Sequence, residues 1–214
     1  VSADWVSLVG QALDVDVVNA GVNGDLAWNA RLRLQEVLDT KPNDLVVLVG
    51  SNDVLAGLDE VRERRYMTSK NLPQRPTLAW YRDNLIAISE RAKSASVPVL
   101  FASLPPLGED LDSDVNKRVQ SANEIIAMVA QETGARFVDV YAPLANVLRA
   151  SGSKRAFTGT TGVMFGAIFR RYGLGWSFDR ISAANGYRLL TDGIHANESA
   201  ARIIADTIAA ALSL

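Results

Sequence analysis

His195 is the only histidine in the sequence, so it is the first residue to consider for proton transfer. It ends the segment TDGIH at residues 191–195, in which Asp192 precedes it by three positions. Such a loop can fold back so that Asp192 accepts the Nδ1 proton and Nε2 stays free to act as a general base. The same two side chains are also suited to capping the helix predicted after them, so the pair alone leaves both roles open.

Two other segments contain groups that can stabilise a developing negative charge. In GSND, residues 50–53, the amide of Asn52 follows an apolar run and can donate a hydrogen bond to an oxyanion. In NAGVNGD, residues 19–25, Gly24 allows a backbone N–H to approach a ligand closely near the start of a helix. Glycine, serine, asparagine and aspartate are also ordinary turn residues, so each segment taken by itself is equally typical of a turn.

Short β-branched runs alternate along the chain with stretches of helical periodicity. The runs predict strands over Val15–Asn19, Leu45–Val49, Val97–Ala102 and Arg136–Val140. Because the runs are apolar on both faces, they are typical of a parallel sheet covered by helices, with functional groups at the carboxyl ends of the strands. The predicted fold is therefore an α/β, three-layer α/β/α sandwich with a flavodoxin-like, mostly parallel sheet.

Helices with one apolar stripe are predicted between these strands. They cover Ser2–Leu13, Ala27–Leu38, Leu78–Ala92 and Val115–Ala130, and a last helix follows the N-cap Asn197. Two stretches interrupt the alternation. Gly57–Pro76 is charged and is predicted to be a loop, whereas Ser151–Asn185 is rich in glycine and aromatic residues. We expect a single domain, 1–214, in which residues 151–185 form a lid-like insertion over a substrate or a partner subunit. An apolar cluster beneath a long loop is the alternative for this insertion.

The composition is typical of a globular domain and argues against several classes of function. Hydrophobic residues make up 48% and charged residues 21%, and 22 basic against 24 acidic side chains give a net charge of −2. This balance offers no nucleic-acid surface. The absence of cysteine and the single histidine argue against a metal site, and no cofactor is expected.

The sequence leaves the location of the protein open. No apolar run is long enough to span a bilayer, and Val1–Leu8 shows no signal peptide. A cytoplasmic and a secreted location are both compatible with these features. A homo-oligomer is compatible with them as well.

Taken together, the three segments resemble the blocks of the SGNH (GDSL-type) hydrolases, in the same order and at similar spacing. VNAGVNGD looks like the second block, with Gly24 as the oxyanion glycine, and VGSND looks like the third, with Asn52 as the oxyanion asparagine. TDGIH looks like the fifth block, with Asp192 and His195 as members of a catalytic triad. FVDVY at Phe137–Tyr141 is also similar, and the resemblance covers the chain from Val1 almost to Leu214.

This resemblance implies a serine ester hydrolase, in the form of an esterase, acetylesterase or lipase-like enzyme. The reaction would be acyl transfer by a Ser-His-Asp triad with a Gly/Asn oxyanion hole. The implied substrate is a small-molecule or carbohydrate-linked ester.

The sequence departs from the family pattern in its first block. The Gly-Asp-Ser turn is absent, and the segment SADW at residues 2–5 resembles the start of the helix that follows this turn. We therefore expect a strand of about 5–6 residues and the nucleophilic serine upstream of Val1. Ser51 lacks a G-x-S-x-G elbow, and Ser151 begins an S-x-x-K segment without its partner motifs.

Two other functions are compatible with the fold. One is a non-catalytic binding module that has lost its nucleophile. The other is a flavodoxin-like phosphate or nucleotide binder, which is disfavoured because neither a G-x-x-x-x-G-K-[ST] loop nor a G-x-G-x-x-G turn is present.

Overall fold

The apolar runs in the middle of the chain form a three-stranded parallel sheet in the computed structural model, which describes residues 3–159 and 161–213. β1 spans Leu45–Val47, β2 spans Val99–Ala102 and β3 spans Arg136–Val138, in the order β1–β2–β3. The central strand β2 is buried along its whole length, because a strand with neighbours on both sides and covered faces has no position for a polar residue. The predicted α/β class with a parallel sheet is confirmed.

The prediction of a strand over Val15–Asn19 is wrong. Among the described residues no strand pairs with this segment, and Val15 and Val18 are 53% and 68% exposed. The Val15 N–H instead bonds to the Gly10 carbonyl and closes the end of a helix. β-Branched residues favour extended backbone, but a strand is stabilised only by hydrogen bonds to a neighbouring strand and by packing of its faces.

Helices account for most of the regular structure. In chain order they are α1 Trp5–Leu13, α2 Ala27–Leu32, α3 Leu34–Leu38, α4 Ser51–Ala56, α5 Glu60–Ser69, α6 Leu78–Ser94, α7 Asp114–Thr133, α8 Tyr141–Ser151, α9 Thr161–Ile168, α10 Phe178–Ala184 and α11 Glu198–Leu212, with a π-helical turn over Phe169–Gly173. The predicted helices that correspond to α6, α7 and α11 are confirmed, since each has an apolar stripe that is buried in the structure. Ser2, where the first helix was predicted to begin, lies outside the described residues.

Two helix predictions need correction. The helix predicted over Ala27–Leu38 is two helices, since the backbone at Arg33 leaves helical geometry (φ −97°, ψ 10°). The loop predicted for Gly57–Pro76 contains the ten-residue helix α5, which Asp59 caps by accepting a hydrogen bond from the Arg62 N–H at 2.8 Å. None of the residues of α5 is buried, so no apolar stripe marked it as a helix in the sequence.

The chain forms two compact units. One comprises Val1–Asn19, Pro105–Lys117 and Asp139–Leu214, and the other comprises Ala20–Leu104 and Arg118–Val138. We refer to them as the dyad unit and the sheet unit, because the first contains Asp192 and His195 and the second contains β1–β3. In the dyad unit α1 packs against α11, and in the sheet unit α6 packs against β2. The prediction of a single domain stays a prediction.

The 151–185 insertion folds into helices within the dyad unit. Ala167, Phe178 and Ile181 form an apolar cluster there, and the lid-like role predicted for the insertion stays a prediction. Phe165 and Tyr172 lie on its surface, 63% and 75% exposed. Across the described part of the chain, no helix is both long and apolar enough to cross a membrane.

Phe101 and Phe137 provide a paired test of the sheet, since they lie opposite each other on β2 and β3. Phe101 is 0% exposed, and Phe101→Ala should lower the free energy of unfolding by about 3–5 kcal/mol through lost burial and the cavity it leaves. Phe137 is 40% exposed, and Phe137→Ala should cost about 1 kcal/mol or less. Denaturant titration followed by circular dichroism measures both values, and equal losses would contradict the burial described here.

Candidate active site

Asp192 and His195 form a hydrogen-bonded pair within one tight loop of the dyad unit. Asp192 Oδ2 lies 2.8 Å from His195 Nδ1, and Oδ1 accepts the N–H groups of Ile194 and His195, both at 3.0 Å. The loop is closed by an antiparallel bridge between Leu190 and Ala196, next to a bond of 2.8 Å from the Thr191 N–H to the His195 carbonyl. Two backbone N–H groups of the loop therefore orient the same carboxylate that binds the imidazole.

The electrostatics of this pair favour an ionised aspartate. The Asp192 side chain is only 3% exposed, and this burial by itself raises the pKa of its carboxyl group. The hydrogen bond and the attraction from His195, together with the N–H groups of His195 and Ile194, outweigh burial, so the pKa of Asp192 is lowered overall. An ionised Asp192 holds the Nδ1 proton and so leaves Nε2 as the basic nitrogen of an imidazole that is 30% exposed.

The helix after the loop is capped by a different residue. Asn197 Oδ1 accepts the Ala200 N–H at 2.9 Å and is the N-cap of α11, as predicted. Its Nδ2 also donates to the Arg188 carbonyl at 3.0 Å. Asp192 and His195 are therefore not the caps of this helix, which removes one of the two roles that the sequence left open for them.

Asn52 lies in the first turn of α4, which begins at Ser51 after a short connection from the end of β1 at Val47. Gly50 makes the turn between them, with φ at +139°, and a Cβ there would come within 2.4 Å of the Tyr81 hydroxyl, so only glycine fits. The Tyr66 hydroxyl donates to Asn52 Oδ1 at 2.7 Å, and Asn52 Nδ2 donates to the Asp25 carbonyl at 3.0 Å. These two bonds fix the amide plane, and the second Nδ2 hydrogen makes no bond to the described residues.

Gly24 belongs to the loop whose Asp25 carbonyl binds Asn52. Its φ is +79°, a left-handed backbone conformation that favours glycine, and a Cβ at this position would lie 2.9 Å from Lys70 Cε near the flexible end of that side chain. Lys70 Nζ donates to the Asn23 carbonyl at 2.9 Å and to Asp25 Oδ1 at 3.1 Å. Arg33 Nε binds the other Asp25 oxygen at 2.9 Å. Two cations thus hold the loop that presents the Gly24 N–H.

Asp53 supports the same region from inside the sheet unit. Its carboxylate is 3% exposed and accepts the Ala27 N–H, at the start of α2, at 3.1 Å. Burial raises the pKa of Asp53 to about 7, against the opposing effects of that hydrogen bond and of the Arg118 charge. Asp53 is therefore a titrating group near neutral pH beside Asn52.

The structure groups the predicted site residues in two sets. Asp192 and His195 are together in the dyad unit, and Asn52 is joined to the loop of Gly24 in the sheet unit. Ser151, considered above as a nucleophile, donates its hydroxyl to the Leu148 carbonyl at 2.9 Å. Within residues 3–159 and 161–213, no group of three or more His, Asp or Glu side chains is arranged to hold a metal.

Sequence reasoning missed the residues that orient the predicted donors. Tyr66 and Lys70 lie in and just after α5, which was predicted to be a loop, so no side of that segment was expected to face Asn52 or Asp25. No spacing rule links residues 52 and 66. The burial of Asp53 was missed as well, because an Asp after a strand is most often a solvated turn residue.

The fold of the chain is shared with solved esterases. The acetylxylan esterase Axe2 from Geobacillus stearothermophilus superposes with a TM-score of 0.68 at 19% identity, over 98% of this chain and 80% of that one. LAE5, an alpha/beta hydrolase enzyme from the metagenome of Lake Arreo, Spain, gives 0.68 at 18% identity, over 98% and 81%. The acetyl xylan esterase AlAXEase gives 0.64 at 16% identity, over 97% and 90%. The fold is that of SGNH-type esterases, as predicted.

The sequence then defines the family. The family model described as "GDSL-like Lipase/Acylhydrolase family" matches residues 1–203, so the chain belongs to that family. The predictions of a GDSL-type relationship and of a carboxylic ester hydrolase are thereby confirmed at the level of the family. The uncharacterized lipoprotein YqeF of Bacillus subtilis (strain 168) is 35% identical over 105 residues, a stretch that covers 47% of this chain and 38% of that protein.

Several solved structures of Axe2 are of substituted forms of that enzyme. Three structures described as catalytic mutants of that enzyme carry alanine in place of a serine, an aspartate and a histidine. In that enzyme the aspartate precedes the histidine by three positions, and the serine lies close to the start of the chain.

The raised pKa of Asp53 gives a prediction for stability against pH. Between the ordinary value near 4 and about 7, the folded protein keeps a proton that the unfolded chain has released. Its contribution to the free energy of unfolding is therefore greatest below pH 4 and is lost as the pH rises through 7. Asp53→Asn keeps an oxygen for the Ala27 N–H but cannot ionise. Between pH 4.5 and 8 the free energy of unfolding of the variant should therefore rise, relative to that of the wild type, by on the order of a few kcal/mol. Denaturant titrations at several pH values measure this gain.

Asp83 supplies the matched control for this experiment, since its side chain is 68% exposed. The Asp83→Asn protein should follow the pH dependence of the wild type. Parallel curves for Asp53→Asn and wild type would show that Asp53 does not titrate in this range.

Proposed function

We propose that this protein hydrolyses carboxylic esters by serine acyl transfer, with His195 as the general acid and base. The observation that carries the proposal is the Asp192–His195 pair, in which a buried carboxylate binds Nδ1 at 2.8 Å. His195 Nε2 takes the proton of the attacking serine hydroxyl and returns it to the leaving alcohol. Water then attacks the acyl-enzyme by the same route, and Asp192 stabilises the imidazolium in both steps.

The oxyanion is stabilised in this proposal by the Gly24 N–H and by Asn52 Nδ2. Two features support these roles. The Gly24 N–H makes no hydrogen bond within the described part of the chain, and the Asn52 amide is fixed by Tyr66 and by the Asp25 carbonyl. Donors held in place before the reaction are effective because they need no reorganisation when charge develops on the substrate oxygen.

The nucleophile in this proposal is a serine in a Gly-Asp-Ser turn that precedes Val1 in the full-length protein. The resemblance to the GDSL-type blocks supports it, as does the position of the serine in the catalytic mutants of Axe2. The substrate class that we propose is a small acyl ester of an alcohol or carbohydrate. Acetylated xylo-oligosaccharides are the first substrates to test, because Axe2 and AlAXEase are acetylxylan esterases.

Labelling of the full-length protein with a fluorophosphonate tests the nucleophile. We expect one labelled serine, located by tandem mass spectrometry in a Gly-Asp-Ser peptide upstream of Val1. No label on an intact, folded full-length protein would contradict the hydrolase and would favour a binding module on the same fold.

Substitution of His195 tests the general base. His195→Ala should lower kcat by on the order of 10⁴-fold or more, because the hydroxyl proton then has no acceptor. The thermal midpoint should fall by only a few degrees, because the nearly buried Asp192 loses one of its three donors and keeps the two backbone N–H groups. Initial rates on an acetyl ester and a melting curve measure the two effects. Full activity in this variant would overturn the mechanism.

Tyr66 and Asn52 test the oxyanion hole together. Asn52→Ala should lower kcat about 10²–10³-fold with little change in KM. Tyr66→Phe keeps the amide but removes the bond of 2.7 Å that orients it, so the loss should be smaller, roughly threefold to tenfold. Tyr172→Phe is the matched control, because that side chain is 75% exposed. Equal rates for Tyr66→Phe and Tyr172→Phe would rule out an orienting role for Tyr66.

A further inference from the structure

Glu109 is a fully buried carboxylate to which the mechanism above assigns no role. It belongs to the segment of the chain that connects β2 to α7, in the part of that segment assigned to the dyad unit, and is 0% exposed. Its oxygens accept the N–H groups of three consecutive residues: Arg188 at 2.8 Å, Leu189 at 2.6 Å and Leu190 at 3.2 Å. A carboxylate that loses its hydration is retained in a protein only where donors of this kind replace the water.

The three N–H groups belong to the segment that leads directly into the loop of Asp192 and His195. Leu190 forms the bridge to Ala196 that closes this loop. Gly108, the neighbour of Glu109, binds the middle of the loop, since its N–H donates to the Gly193 carbonyl at 2.7 Å. We call residues 188–190 the arm of the loop. Residues 108 and 109 therefore bind both this arm and the tip of the loop at Gly193.

The same carboxylate also binds the beginning of the 151–185 insertion. The Ser153 hydroxyl donates to Glu109 Oε2, and the Glu109 N–H donates to the Arg155 carbonyl at 2.7 Å. Next to these bonds, the Tyr187 hydroxyl donates to the Ala156 carbonyl at 3.1 Å. One buried group thus joins the insertion to the arm of the loop.

We infer that Glu109 is a positioning residue that fixes the geometry of the Asp192–His195 pair. This inference rests on the proposed function, since it assigns a catalytic consequence to a loop contact. Glu109 does not touch the substrate in this role. Without its carboxylate, the N–H groups of the arm lack acceptors and the arm shifts to find others, which displaces Asp192 two residues further on.

The test compares three variants of the full-length protein. Glu109→Ala removes every acceptor, and a displacement of about 1 Å at the pair should lower kcat on the order of 10²-fold while KM stays within about twofold. Glu109→Gln should recover most of the rate. Its oxygen can still accept the N–H groups of Leu189 and Leu190, and its amide can donate to Ser153 Oγ. Ser153→Ala is the matched control, because it removes one donor and leaves the arm bound.

A second measurement determines the tautomer of His195 by NMR and does not depend on enzymatic activity. His195 is the only histidine in residues 1–214, and in a protein labelled with ¹⁵N-histidine its ring-nitrogen signals are identified as those that His195→Ala removes. Wild type, Glu109→Gln and Ser153→Ala should show one fixed tautomer with the proton on Nδ1, held by Asp192. Glu109→Ala should show averaged tautomers. If Glu109→Ala does not fold, Glu109→Asp replaces it, because the shorter side chain keeps the charge but withdraws the oxygens from the arm.

The two measurements separate the two proposals. Absence of ester hydrolysis in wild type, together with the expected change of tautomer in Glu109→Ala, would contradict the proposed function and leave the positioning role intact. A folded Glu109→Ala or Glu109→Asp protein with wild-type kcat and wild-type ring signals would overturn the positioning role.

Discussion

The candidate acid–base pair depends on one physical constraint: a carboxylate that leaves water must receive equivalent hydrogen bonds from the protein. Asp192 satisfies this constraint through two backbone N–H groups and the His195 ring, so its pKa is lowered although the group is nearly buried. Asp53 is buried to a similar degree with the Ala27 N–H as its main support, and its pKa is raised to about 7. For Asp192 the hydrogen bonds and the attraction from His195 together outweigh burial, whereas for Asp53 burial outweighs the hydrogen bonds and the charge of Arg118.

This constraint also explains why short loops can provide precise chemistry. The loops around Gly24 and His195 have few helix or strand hydrogen bonds, and charged or polar side chains from distant parts of the chain supply the missing restraints. Lys70 and Arg33 bind the Asp25 carboxylate in the sheet unit. Glu109 binds three N–H groups in the dyad unit. In each unit, charged groups that take no part in the proposed reaction restrain a loop that contains a proposed site residue.

The sequence predicted those parts of the fold and site that depend on near neighbours. α6, α7 and α11 have periodic apolar stripes, and the spacing of Asp192 and His195 is that of a hydrogen-bonded loop, so residues close along the chain contain enough information. Val15–Asn19 was mispredicted because its β-branched residues satisfy the local preference for a strand without a pairing partner among the described residues. α5 was not predicted because it has no buried residue, so its sequence lacks the periodic apolar stripe by which a packed helix is recognised. Glu109 and Tyr66 were missed because their partners are 79–81 and 14 positions away.

This difference between local and distant support has a consequence for how the family pattern should be applied to the chain. The contacts that join Asp192 to His195 lie inside their own loop, with three hydrogen bonds within residues 192–195, and Glu109 restrains the segment that carries this loop. The Asn52 amide has no comparable local support, and its plane is set by the Tyr66 hydroxyl and the Asp25 carbonyl. A chain can therefore keep the sequence VGSND of the third block and still lose the orientation of the Asn52 amide through substitutions in α5. For this reason the presence of Tyr66 opposite Asn52 is stronger physical support for an intact oxyanion donor than the motif itself.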